Sequence, residues 1–245
     1  MGSKSFSLVL NHQIQSFNKS ITVDSDKSLS IRSFLIGAIS QDISKAKNIL
    51  ESEDIFSTIN CLKKLGVFIK KIKPGTYHIH GKGLGSLFAK NKSKLNFGNS
   101  GTLARLLTGI LSTTPDIEVI IQGDKSLNNR NMEKLIDLLS SFGALFYPKN
   151  KKKFPLKLIS TEMPIGIKYK AGVSAQLKSA AILAGLNSYG ITEIIEEKKS
   201  RDHTENMLEN NTGVVRIDRK ENKKQISIIG KKSLKAFNIN IPGDP

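Results

Sequence analysis

Three places in the chain set small or hydroxyl residues and a basic side chain at the start of a predicted helix. They read Asp26-Lys27-Ser28, with Arg32 four residues beyond Ser28; Gly98-Asn99-Ser100-Gly101-Thr102, with Arg105; and Gly172-Val173-Ser174-Ala175-Gln176, with Lys178. A helix start offers backbone N–H groups without helical partners at the positive end of the helix dipole, a combination that holds phosphate or carboxylate. Ser28 and Arg32 share a helix face. Arg130 and Arg201 stand at the starts of two further predicted helices. The guanidinium fork fits carboxylate and phosphate oxygens in pairs. One serine at a helix start is often only a cap, but three such starts in register point to a binder of a small ligand with several negative charges.

The elements that must position these starts recur three times. The first unit reads as a helix over 28–40 behind a Ser28 cap, a β-like stretch over 45–50, a helix over 54–66, and strands over 67–72 and 76–81. Lys73-Pro74-Gly75 supplies the hairpin turn between the two strands. The second unit reads as a helix over 100–112, a strand over 117–123, a helix over 128–143, and strands over 144–148 and 156–160. The third has a helix over 174–188, a strand over 191–196, a helix over 201–213, and strands over 214–218 and 225–230. Gly66, Gly143 and Gly213 close the second helix of each unit, where a C-terminal cap belongs. One unit alone leaves a helix face unburied, so the three are expected to share a core in one pseudo-threefold lobe. That lobe is expected to span 22–236. Residues 1–21, read as a strand pair, and 237–245, which begin a motif and stop, are expected to be strands of a second lobe that is mostly missing.

Composition narrows the partners. The chain has 245 residues, 38% of them hydrophobic, and a formal net charge of +17. Its basic residues are mostly lysines scattered among Asn, Ile and Ser, and KNKSK (90–94) and KNKKK (149–153) read as solvated loops. With aromatics at 6% and no tryptophan, stacking platforms for single-stranded nucleic acid are scarce, and no nucleic-acid partner is expected. No stretch approaches the roughly 20 apolar residues of a membrane span, and the first residues are too polar for a secretory signal. Cys61 is the single cysteine. It reads as a small buried residue and fits a reducing cytoplasm. His78 and His80 share a strand face without the cysteine or carboxylate companions of a metal site, so no metal is expected.

Five segments then resemble one family. DKSLSIRS (26–33), NFGNSGTLARLLTGIL (96–111), GDKSLNNRNM (123–132), VSAQLKSAAILAGL (173–186) and SRDHTENML (200–208) follow the order of the EPSP synthase motifs. The resemblance implies an α/β (α+β) enolpyruvyltransferase-like lobe of three βαβαββ units, one of two similar lobes. It also implies a transferase of the shikimate pathway of aromatic amino-acid biosynthesis, with no cofactor and no metal, monomeric and cytoplasmic. By motif, Lys27, Ser28, Arg32, Ser174, Ala175, Gln176 and Ser200 would bind shikimate 3-phosphate. Lys27, Asn99, Gly101, Thr102, Arg130 and Gln176 would bind phosphoenolpyruvate. The sugar 5-hydroxyl would add to C2 of phosphoenolpyruvate, and the adduct would expel phosphate, with Lys and Arg charges stabilising the anionic groups. The chain departs from the family at Asp24-Ser25, where Pro-Gly is usual, and at Asn131, where a proline is usual and whose loss is expected to loosen the following helix. The acid–base carboxylates are expected in the other lobe, so this chain alone is expected to be inactive. The alternatives are a UDP-N-acetylglucosamine enolpyruvyltransferase relative, a non-catalytic anion-binding lobe, or a basic nucleic-acid binder.

Overall fold

The first helix starts at an aspartate. The Asp26 carboxylate accepts the Leu29 N–H at 2.7 Å, so Asp26 is the cap and Ser28, predicted for that role, sits in the first turn. The computed structural model describes residues 9, 18, 20–90, 93–209, 213–220 and 223–244. The first unit runs α1 (Lys27–Ile39), β1 (Ile43–Lys47), α2 (Glu53–Lys64), β2 (Phe68–Lys73) and β3 (Thr76–His80). The second runs β4 (Ser93–Asn96), α3 (Gly101–Ser112), β5 (Glu118–Gln122), a single turn α4 (Lys125–Asn128), α5 (Glu133–Ser140), β6 (Leu145–Tyr147) and β7 (Leu156–Ile159). The third runs β8 (Lys168–Ala171), α6 (Ala175–Leu186), β9 (Ile191–Glu196), α7 (His203–Glu209), β10 (Val215–Lys220) and β11 (Lys223–Ile229), and β12 (Asn238–Asn240) follows.

The three sheets share one pattern. Their orders are β12-β1-β3-β2, β4-β5-β7-β6 and β8-β9-β11-β10, each with a parallel pair followed by two antiparallel pairs. The expected βαβαββ units are present, and the sheets correct three readings. The 237–245 segment, assigned to a second lobe, supplies β12, which pairs with β1 and completes the first sheet of this one. Ile241, just beyond it, is fully buried. Ser93 and Lys94, read as part of a solvated loop, belong to β4, where Leu95 is buried. The helix read from 128 starts at Glu133; the residues before it form α4 and a connection holding Arg130. In that connection the Asn131 carboxamide oxygen accepts the Glu133 N–H at 2.7 Å, a local bond just before α5. The strand pair read over 1–21 falls almost wholly outside the described residues.

The three first helices form the centre. α1 and α6 are buried nearly all round, as core helices must be. α1 alone buries Ile31, Phe34, Leu35, Ile36 and Ile39, each worth about 1.5–3 kcal/mol on leaving water. α3 and α6 approach closely at Gly109, where an added Cβ would stand 2.7 Å from the Ala180 carbonyl oxygen. The predicted cap glycines 66, 143 and 213 all adopt positive φ, at 84°, 103° and 80°, the left-handed geometry that favours glycine.

Candidate functional site

The helix starts meet on one side of this core. Ser28 and Arg32 of α1, Val173 to Gln176 at the start of α6, and Lys199 to His203 after β9 line one open cleft of about 630 Å³. Six of the seven residues expected around shikimate 3-phosphate are among them; Lys27 is not. Lys27 is half exposed and stands 3.4 Å from Asp54 of α2.

Arg32 is only 3% exposed, which a surface-charge reading would not anticipate. Its Nε donates to Thr204 Oγ1 at 2.8 Å, Nη1 to the Ser28 carbonyl at 3.0 Å and Nη2 to Ser179 Oγ at 3.1 Å. Of five N–H donors, one on each Nη is left uncommitted by these bonds. Burial pulls the guanidinium down to about 10, with Asp26 and Glu205 opposing and Arg201 adding to the fall. It therefore stays charged at neutral pH, fixed in place with a fork free for an anion. Ser174 caps α6 by accepting the Leu177 N–H at 3.3 Å.

A second cluster joins the cleft through Gln176, whose Nε2 donates to Thr102 Oγ1 at 3.0 Å. Here Ser100 caps α3, and Arg130 Nη2 donates to Asn99 Oδ1 at 3.1 Å. Arg105 Nη1 donates to the Gly101 carbonyl at 2.9 Å. A methyl on Gly101 would lie 2.8 Å from Arg130 Nη1 and 2.9 Å from Arg105 Nη1. Two guanidiniums thus hang over one glycine at a helix start. Burial first, then the charge of Arg130, holds the Arg105 guanidinium below its ordinary value. Like charges held this close favour an anion between them. Asn99, Gly101, Thr102, Arg130 and Gln176 are together, and Arg105 joins them.

Lys178 departs from its sequence reading as a ligand-facing charge. It is fully buried, with Nζ 2.8 Å from Glu196 Oε1 and 2.8 Å from Glu205 Oε1. Glu196 Oε1 also accepts the Ser200 N–H at 2.9 Å and the Ser200 hydroxyl at 2.6 Å. The ion pair therefore ties the cleft loop to α6. Burial pushes the Glu196 carboxyl up, but hydrogen bonds from Lys178 and Ser200 outweigh it and hold the group below the usual carboxylate range. Sequence reasoning missed Glu196. The signal was the period of two in Ile191–Glu196, which puts Glu196 on the buried face with Thr192 and Ile194.

Cys61, read as a buried residue of a helix, is buried on α2 and donates to the Asn96 carbonyl at 3.3 Å. Burial raises its thiol to about 12. Among the described residues, no helix is long and apolar enough to cross a membrane.

Known proteins share this sequence and fold. The family model described as EPSP synthase (3-phosphoshikimate 1-carboxyvinyltransferase) matches residues 12–245. A 3-phosphoshikimate 1-carboxyvinyltransferase of Novosphingobium aromaticivorans is 39% identical over 227 residues, covering 92% of this chain and 51% of the relative. One of Zymomonas mobilis is 38% identical over 226 residues, covering 92% and 49%. A solved EPSP synthase from Acinetobacter baumannii superposes with a TM-score of 0.82 at 37% identity, covering 91% of this chain and 49% of that one. The chain spans about half the length of the curated relatives it matches.

Proposed function

The chain belongs to the EPSP synthase family, and on that premise we propose that its cleft is the shikimate 3-phosphate site of an enolpyruvyl transferase. The transfer would join the enolpyruvyl group of phosphoenolpyruvate to the sugar 5-hydroxyl and release phosphate. One observation carries the reading: Ser28, Arg32, Ser174, Ala175, Gln176 and Ser200, from three distant segments, line one opening. Arg32 brings a charged fork to it, and the start of α6 brings free backbone N–H groups.

The adjoining cluster of Asn99, Gly101, Thr102 and Arg130 is the proposed phosphoenolpyruvate side, with Gln176 between the two substrates and Lys27 at the edge. Arg105 and Arg130 supply positive charge where that substrate's phosphate and carboxylate would lie. In this reading residues 22–236, completed by β12, form the substrate-holding lobe. Residues 1–21 and the acid–base carboxylates belong to the other lobe. A cytoplasmic place fits a single cysteine that is buried and reduced.

Calorimetry at low salt tests the reading. Shikimate 3-phosphate is expected to bind, and shikimate without its phosphate to bind at least about tenfold more weakly, having lost charge-assisted hydrogen bonds. No binding of the phosphate ester, alongside a salt-steep affinity for DNA, would overturn it in favour of a nucleic-acid binder.

A further inference from the structure

His203 begins α7 and lines the cleft with Ser28, Arg32, Ser200 and Arg201. Its Nδ1 is buried and has no hydrogen-bond partner among the described residues. With one ring nitrogen shut away, Nε2 is the nitrogen left to meet a ligand. An anion seated beside Arg32 and Arg201 would also lie against this ring, at Nε2 rather than at the shut-away Nδ1.

We propose that His203 is a further ligand-binding residue of the cleft, meeting the anion through Nε2 and taking up a proton from solvent as the anion binds. The inference rests on the cleft being a phosphate-ester site. The charged groups facing the ring are Arg32 and Asp26 from α1 and its cap, and Arg201 and Asp202 from the loop leading into α7. Burial first, then Arg32 and Arg201, keeps the imidazole below the ordinary histidine value, with the two carboxylates opposing. In the free cleft the ring is therefore neutral at pH 7. A bound dianion reverses the balance: it offsets the guanidinium charges and favours the imidazolium. The histidine pKa rises on binding, so binding takes up a proton and strengthens as pH falls through the bound-state value.

The test is calorimetry of shikimate 3-phosphate with the chain and with His203→Gln, in two buffers of different ionisation enthalpy at pH 7. The ligand's own titration, with a second pKa near about 6, is common to both proteins and cancels in the comparison. The unsubstituted chain is expected to take up about 0.5–1 proton more than the variant. Its affinity advantage should be about tenfold at pH 6.5 and vanish by pH 8.5. Equal proton numbers in the two proteins would overturn the proposal. Should the variant not fold, ring-proton NMR titration of the four histidines in the unsubstituted chain decides. One midpoint must rise on adding ligand, and no change in any of them would overturn the proposal. Binding to neither folded protein would instead overturn the reading of the cleft, and this inference with it.

Discussion

Lys178→Ala is expected to destabilise the lobe by about 3–5 kcal/mol, the cost of leaving buried charges without their partner. Lys178 has no exposed side-chain surface, and Glu196 and Glu205 are 2% and 0% exposed. Removing the ammonium leaves two buried carboxylates facing Lys224, which is 3.4 Å from Glu205 and 4.0 Å from Glu196. One partly exposed lysine at those distances cannot replace two 2.8 Å contacts. In a domain of this size such a loss lowers the melting temperature by about 10 °C or more. Lys178→Met combined with Glu196→Gln and Glu205→Gln removes every one of these charges and is expected to be less harmful than the single change. A single-variant loss below about 1 kcal/mol, which is ordinary for a surface pair, would contradict the network. The acid limb follows from the sign of the Glu196 shift. Its folded pKa lies below its unfolded value, so its stabilisation is present above the unfolded value and is lost as pH falls through the folded one.

Arg32→Ala is expected to weaken shikimate 3-phosphate binding about thirtyfold, equivalent to about 2 kcal/mol for a charge-assisted hydrogen bond. The three anchors on Arg32 hold its fork before the ligand arrives, so little side-chain entropy opposes binding. Arg32→Lys keeps the charge but not the fork, and is expected to recover only part of the affinity. The anchors also serve the fold: without the guanidinium, the Ser28 carbonyl, inside α1, loses its side-chain donor, while Thr204 keeps its bond to Ser179. Melting temperature must therefore be read beside affinity. A folded Arg32→Ala chain with unchanged affinity would remove Arg32 from the site.

The sequence revealed what local chemistry decides. Gly66 and Gly143 were legible because a helix end in left-handed geometry selects glycine, and Gly213 because a positive φ does. The β2–β3 hairpin was legible because Pro74-Gly75 fits its turn. The helix starts were legible because Ser100 and Ser174 are residue types that cap a helix, as they do here. Long-range pairing was not legible. β4 and β8 are four residues each with little apolar content, and nothing local tells that β12 pairs with a strand nearly two hundred residues earlier. Lys178 was misread as facing a ligand because it stands one turn into a helix whose start looked like an anion site, and only tertiary packing brings Glu196 and Glu205 to it. Arg32 was placed at the site by its spacing from Ser28, but its burial depends on Thr204 and Ser179 from another unit.

The most direct measurement of the central claim is a crystal structure of the chain with shikimate 3-phosphate. The ligand is predicted in the cleft between α1 and the start of α6, within hydrogen-bond distance of Arg32, Ser174 and Ser200. An empty cleft at saturating ligand, or the ligand bound on another face, would contradict the account.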